Sequence, residues 1–355
     1  MNILNLPTAE QYDLTNKYLA SIALSVSEGN SPWIVQSWAD VQQAVRLGIA
    51  SKIFGVGDQL MADYNGVSVV WDIIGIDHET PTNPALTHSL TIQANRLIAS
   101  GRISGPEALF NAAAGLASGV HIFTTNGLQY TFTSAQAVPA GGVIHIKTRS
   151  EYVPLTLTIY AADRKTVVED NIVVTPTTGV DDLSPINDHV RMRYGNNDWK
   201  ISALRQWLNS DASSWVWAPM GLYDMPSTYA SSGFLALLDP ELLEVIGMAD
   251  KQVAKATYDG GGQDLFSDKV FLPSRVEMGL GTEGVTTGEV VYPFWDGSTN
   301  ADRIKLNLSG TPGYWWLRSP NVSYSNYTRR ISTSGELDYN GAYRTIGLAP
   351  ACAII

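Results

Sequence analysis

The sequence predicts an α+β fold: a mixed body interrupted by an all-β, sandwich-like insert and preceded by a short helical segment. Three observations carry this. Apolar residues recur at helical spacing in residues 8–26, 38–47 and 199–208. Between them, β-branched runs bounded by turn residues recur roughly every ten residues. And from Ala108 to Ile146 there is no Asp, Glu, Lys or Arg, in a chain whose formal net charge is −11. That stretch contains no run of about 18 apolar residues, so it reads as a β module with a Ser, Thr, Asn and Gln face and not as a membrane span.

The elements follow in order. In residues 8–26, Thr8 and Gln11 form a capping box behind Pro7, and Tyr12, Leu19, Ile22 and Val26 share one face. Trp38 to Leu47 is a second helix, capped by Ser37 and stopped by Gly48. Val67 to Ile74 is nearly continuous in apolar residues, as in a strand buried on both faces. Residues 86–98 read as a short helix or loop, and Gly101, Gly105 and Pro106 then punctuate the chain. The insert follows, with strands at Tyr130–Phe132, Val143–Ile146, Leu155–Tyr160 and Ile172–Val174, and Thr175–Gly179 as its exit.

Seven of the ten tryptophans lie from Trp199 onward, so the C-terminal part has its own aromatic core. Trp199 to Leu208 is an amphipathic helix, and Asp239-Pro240-Glu241 starts another that Gly247 ends. Strands are expected at Lys269–Leu272, Val290–Tyr292 and Tyr314–Arg318. The resulting division is 1–51 as a helical attachment or oligomerisation segment, 52–103 as the first part of the mixed domain, 104–178 as the β insert, and 179–355 as the remainder.

Composition narrows the function. The acidic balance argues against nucleic-acid binding, which needs clustered Lys and Arg. One cysteine excludes a disulfide framework and a Cys-based zinc site. The N-terminus, Met1-Asn-Ile-Leu-Asn-Leu-Pro7, has neither the basic nor the apolar region of a signal peptide. Cys352 lies in an apolar run and reads as a small core residue. The five histidines show no metal-binding spacing. Tyr258-Asp-Gly-Gly-Gly-Gln-Asp264 lacks the Gly-Lys-Ser/Thr ending of a P-loop. Asp296 to Asp302 offers hard oxygens for calcium but no bidentate Glu at the right distance. No cofactor or metal is therefore expected.

The last segment is the most informative. Gly313-Tyr-Trp-Trp-Leu-Arg-Ser-Pro320 leads into residues 322–346, where Tyr324, Tyr327, Tyr339 and Tyr343 stand among Ser, Asn, Gly, Thr and Arg. Ser334-Gly335 marks a hairpin turn. Rigid aromatic anchors among small polar residues are the vocabulary of a paratope, although a loop-rich surface would have the same composition.

The Tyr-Trp-Trp-Leu-Arg-Ser-Pro320 run, the Gly335 turn and Gly347-Leu-Ala-Pro-Ala351 resemble the C-terminal signature of C-type-lectin-like proteins common in phages and prophages of gut bacteria. Phe54-Gly-Val-Gly-Asp58, Val70-Trp-Asp-Ile-Ile74, Trp199 to Asn209 and Lys269-Val-Phe-Leu-Pro-Ser274 extend the likeness over residues 52–103 and 180–355. It implies a C-type-lectin-like domain. It also implies a target of a diversity-generating retroelement, in which adenines of Asn codons are randomised. Such codons give Asn, Tyr, Ser, Asp, His, Thr, Gly, Arg and Ile, but not Lys, Gln, Met, Trp or Glu; residues 322–346 contain none of the latter except Glu336. The ligand-binding positions so implied are Tyr324, Asn326, Tyr327, Ser332, Ser334, Asp338, Tyr339, Asn340, Gly341, Tyr343, Arg344 and Ile346. Trp315, Trp316, Leu317, Pro320, Leu348 and Pro350 would form the scaffold beneath them. Related formylglycine-generating enzymes use paired cysteines, which this chain lacks, and the Glu-Pro-Asn and Gln-Pro-Asp triplets of sugar-binding lectins are missing too.

The expected function is thus a non-enzymatic, phage-associated receptor-binding protein. It is made without a signal peptide and carried on the virion, on the tail or the particle surface. Its partners would be a host cell-surface protein or glycan and other virion proteins, with no nucleic acid and no membrane insertion. A homotrimer follows from family analogy alone. The alternatives are a glycan-active enzyme using carboxylates such as Asp259, Asp264, Glu277 or Asp296, and an inert structural virion or surface protein.

Overall fold

The computed structural model describes residues 37–104, 108–112, 114–125, 128–146, 155–163, 166–176, 194–215, 232–283 and 288–355. The helix expected over 8–26 lies outside them. Helix α1 (Trp38–Arg46) forms where the sequence places it: the Ser37 hydroxyl accepts the Asp40 N–H at 3.2 Å, and Trp38, Val41, Ala44 and Val45 are buried along one face. Gly48, at φ +66°, closes the turn after it. The single-turn α2 (Ala50–Ile53) follows.

Strands β1 (Gln59–Tyr64) and β2 (Val67–Ile76) form a hairpin across Asn65-Gly66, both at positive φ, as a two-residue turn requires. From Trp71 to Gly75, β2 is buried on both faces. The chain continues through β3 (Thr80–Pro81), β4 (Leu90–Ala94) and β5 (Ala99–Gly101). The insert supplies β6 (Ala108–Ala112), β7 (Gly119–Thr125), β8 (Leu128–Ser134), β9 (Gly142–Ile146), β10 (Leu155–Tyr160) and β11 (Val167–Pro176). These six pair antiparallel in the order β6-β9-β10-β11-β8-β7, around a separate apolar cluster of Phe132, Val138, Ile144, Leu157, Ile159, Ile172 and Val174.

Beyond the insert come α3 (Ala203–Leu208), capped by Ser202, and α4 (Pro240–Val245), capped by Asp239. The strands β12 (Ile246–Gly247), β13 (Ala249–Ala254), β14 (Gln263–Asp268), β15 (Val270–Phe271), β16 (Lys305–Leu306) and β17 (Pro312–Gly313) are followed by β18 (Trp315–Pro320), β19 (Tyr327–Ile331), β20 (Leu337–Gly341), β21 (Ile346–Leu348) and β22 (Ala351–Ile354).

The C-terminal strand organises the body. β22, buried throughout, pairs with β4, β12 and β15 in a sheet of order β1-β2-β4-β22-β12. Alternation along the strands sends neighbours to different cores. Ile73, Val270, Trp316 and Cys352 join the core that contains the helices, whereas Ile74, Phe271, Trp315 and Ala351 join the one beneath the C-terminal ribbon. A second sheet, of order β20-β19-β18-β21-β5, carries that ribbon.

This corrects the expected α+β, C-type-lectin-like fold. The described residues are 39% strand and 14% helix, and their longest α-helix has nine residues. Four local readings also differ. Residues 86–98, read as helix or loop, contain β4, whose five residues are all buried; the polar Gln93 is accommodated there by donating from Nε2 to the Ala349 carbonyl at 3.0 Å. The helix expected over 199–208 starts only at Ala203. Gly247 belongs to β12 instead of ending α4, and Val290–Tyr292 forms no strand: the Tyr292 N–H bonds the carbonyl of Glu277, which lies in a turn, instead of a strand partner.

Candidate functional site

The ribbon of β18, β19 and β20 is built on two adjacent tryptophans that a strand must point in opposite directions. Trp315 and Trp316 are both fully buried, and their indole N–H groups donate to the Arg303 and Gly101 carbonyls, each at 3.1 Å. β19 pairs in register with β20: Tyr327 opposite Gly341, Arg329 opposite Tyr339, Ile331 opposite Leu337. Period two therefore places Tyr327, Arg329 and Tyr339 on one face, and Thr328, Arg330, Asp338 and Asn340 on the reverse.

On the first face the tyrosines converge. The Tyr324 and Tyr327 ring centroids are 4.9 Å apart, Tyr327 and Tyr339 5.1 Å, and Tyr324 and Tyr339 6.3 Å. The Tyr327 phenol is raised above its usual value by burial and then by Tyr339, Tyr324 and Tyr343, so all four hydroxyls share one neighbourhood. Arg329 lies 5.6 Å from the Tyr339 ring centroid and is paired with Glu283, which also holds Arg275 at 2.7 Å.

The loop that presents Tyr324 is held by its main chain. Asn197 donates from Nδ2 to the Tyr324 carbonyl at 2.6 Å and to the Tyr327 carbonyl at 2.7 Å, and its backbone N–H bonds the Ser325 carbonyl. Thr257 N–H bonds the Val322 carbonyl, and Ala342 N–H bonds the Asn326 carbonyl. None of these bonds uses a side chain of residues 322–327, so side chains there that reach the surface, such as Ser323, Tyr324 and Tyr327, can change without breaking them, whereas Ser325 and Asn326 are buried. Asn197 itself is fully buried. Sequence reasoning passed over it; the Gly195-Asn-Asn-Asp198 turn ahead of the helix was the available signal.

The other expected site residues divide. Tyr343 packs against Tyr194 with the rings tilted and their centroids 5.7 Å apart, and its N–H bonds the Tyr194 carbonyl. Asp338 binds Arg330 at 2.7 Å on the reverse face, where Asn340 and Arg344 line a groove with Ile346. Ser334 is exposed at the hairpin turn. Asn326, Ser332, Gly341 and Ile346 are buried. The Ser332 hydroxyl accepts from Ser334 N and Glu336 N, and a Cβ on Gly341 would meet the Tyr343 ring at 2.7 Å. These four serve the ribbon's own shape.

A second polar cluster lies in a cleft of about 550 Å³ lined by His78, Glu79, Lys251 and Glu277. Lys251 Nζ is 2.8 Å from Glu79, 2.7 Å from Glu277 and 3.1 Å from the Tyr292 hydroxyl, which in turn donates to Glu79. Arg318 grips both oxygens of Glu277, at 2.6 and 2.7 Å, and reaches Glu289 at 2.5 Å. Burial alone would raise Glu277, but Arg318 and Lys251 overcome it and hold the carboxyl at about 2. A carboxylate ionised and clamped in this way is no general acid. Asp264 faces Lys200 and Lys255, and Asp296 is exposed. Burial pushes the Cys352 thiol up, away from nucleophile chemistry. Among the described residues no group of three His, Cys, Asp or Glu is placed to hold a metal ion; Asp302 instead accepts from Thr299 N–H and hydroxyl, each at 2.7 Å.

The model of one family, DUF6273, described as a domain of unknown function, matches residues 163–355. The match takes in the whole ribbon, the Asn197 turn and the Lys251, Glu277 and Arg318 side of the charged cleft but not His78 or Glu79; it spans more than half of the chain, and the chain belongs to that family. No curated protein and no solved structure matches it.

Proposed function

We propose that this DUF6273 protein is a ligand-binding protein whose C-terminal ribbon recognises the surface of a host bacterium. In this reading it is carried on a phage particle and is varied within residues 322–346 by adenine-directed diversification. One observation supports it above the rest: within a single ribbon, the tyrosines converge at the surface while the adjacent Trp315 and Trp316 are fully buried. Large, stiff aromatic anchors on a surface lose little entropy on binding and dominate interface energetics. The main-chain support of the Tyr324 loop also favours variation, because a loop held by its carbonyls keeps its path when its side chains change.

The test of the diversified reading is in the flanking DNA. A near-copy of the codons for 322–346, differing mainly at adenines and lying beside a reverse-transcriptase gene, is expected. Flanking sequence without such a copy overturns the diversification while leaving the binding surface to be judged by its own variants.

A further inference from the structure

We propose that the groove on the reverse of the ribbon is a subsite for an acidic saccharide, with Arg344 and Arg330 receiving its carboxylate. This rests on the reading that the ribbon end of the molecule binds a host-surface ligand, and it names the chemistry of one part of that ligand.

The groove has a volume of about 690 Å³, in the range of sites that enclose small ligands. Its lining includes Arg330, Arg344, Asn340, Asn307, Tyr314 and Leu308, and it contains no Asp or Glu. That is unusual for a chain of net charge −11. Arg275, Arg318 and Arg329 each hold a glutamate, and Arg330 holds Asp338. Arg344 is exposed and, among the described residues, has no carboxylate partner; its guanidinium lies 4.9 Å from the Tyr343 ring centroid. Arg330 sits 4.0 Å over the Tyr314 ring and spends Nε and one terminal nitrogen on a single oxygen of Asp338; among the described residues its other terminal nitrogen has no hydrogen-bond partner. Asn307 accepts from Ser309 and Thr311 through Oδ1, which leaves its Nδ2 to donate, and Asn340 likewise spends Oδ1 on the Gly341 N–H.

The polar side chains that converge here are thus donors in excess of acceptors. A guanidinium fork matches a carboxylate, and amide N–H groups match ring and hydroxyl oxygens. An acidic peptide would meet the same arginines but would bring a row of backbone N–H groups to a lining without a carboxylate, whose side-chain acceptors are mainly the hydroxyls of Ser100, Ser309, Tyr314 and Thr345. A saccharide has no such donors to strand, because each hydroxyl accepts as readily as it donates. Tyr314 and Leu308, 40% and 48% exposed, give the apolar face of a sugar ring something to cover.

The experiment is titration calorimetry on the full chain with trigalacturonate and sialyllactose as probes, and with trigalactose, lactose and hexaglutamate as controls. One or both acidic sugars should bind saturably and lose affinity as salt rises; which one binds tells a uronate from a sialate. The neutral sugars and the peptide should bind at least about tenfold more weakly, and R344Q should weaken the acidic sugar by at least about tenfold, with R344K in between. Arg344 is exposed and unpaired, so R344Q should melt as the parent does. No binding of either acidic sugar, equal binding of the neutral ones, preference for hexaglutamate, or an R344Q variant that binds as the parent does would each overturn the proposal. A tyrosine variant that keeps its grip on host cells would instead sink the broader reading, so the two failures are distinguishable.

Discussion

The charged cleft and the tyrosine ribbon each gather side chains of the kind that binding and catalysis use, and they differ in what those side chains are already doing. In the cleft, Lys251, Glu277 and Arg318 are buried and mutually saturated. On the ribbon, the tyrosine rings lean on one another at the surface and Arg344 has no ionic partner among the described residues. A buried, fully satisfied ionic network is an internal fastening, costly to break and with nothing left over for a ligand. A surface with unspent donors and stiff aromatic rings is equipped for an outside partner.

That contrast can be broken by mutation. The largest effects should fall on what is internally consumed. Trp316→Ala should cost about 3–5 kcal/mol of stability in denaturant unfolding, the usual range for an aromatic lost from a core. Glu277→Gln should cost a similar ~3–5 kcal/mol, because Arg318 and Lys251 would keep their charges without a full partner.

The cleft also makes a pH prediction. The folded Glu277 carboxyl at about 2 lies below its usual 4.5, so its stabilisation is present above 4.5 and is lost as pH falls towards 2. Asp268 acts oppositely. Burial raises it to about 6 against the pull of Arg205, so stability increases as pH falls from 6 towards 3.8. Melting curves of Asp268→Asn against the parent should lack that increase, and those of Glu277→Gln should lack the acid loss.

Asn197→Ala lies between the two regions. It leaves the Tyr324 and Tyr327 carbonyls without their side-chain donor and should cost about 1–3 kcal/mol. Amide exchange should speed up locally in residues 321–327. Uniform loosening of the whole sheet would show that Asn197 supports the core and not the loop. The smallest stability effect is expected from Tyr324, Tyr327 and Tyr339 replaced together by alanine, under about 2 kcal/mol from lost ring contacts.

Much of the framework was legible in the sequence. Ser37 and Asp239 cap helices because a short polar side chain before an apolar run satisfies free N–H groups; Ser202 does the same for α3 but lies inside the helix expected from Trp199. Gly335 turns the hairpin at φ +80° where a Cβ would strike the Asn300 carbonyl. Strand β4 was missed because its polar residues, Thr91 and Gln93, are buried by tertiary pairing that no local pattern shows. The site was legible as a composition and not as a geometry. The tyrosines stood out, but their sorting onto one face, and of Arg330 and Asn340 onto the other, depends on strand register. The turn at Asn197 could be read locally, but its role could not, because its partners are main-chain atoms more than a hundred residues away. The C-type-lectin-like fold failed as an inference because short motifs in order constrain loops and cores locally and leave the proportion of helix to strand open.

The most direct test measures binding and melting together for the Tyr324→Ala, Tyr327→Ala, Tyr339→Ala triple variant, using a panel of bacterial cells that bind the parent protein. The account predicts that cell binding is lost while the melting temperature moves by less than about 5 °C. Binding retained at the parent's level, or a variant that unfolds outright, would contradict it, because the tyrosines would then be either idle surface or part of the core.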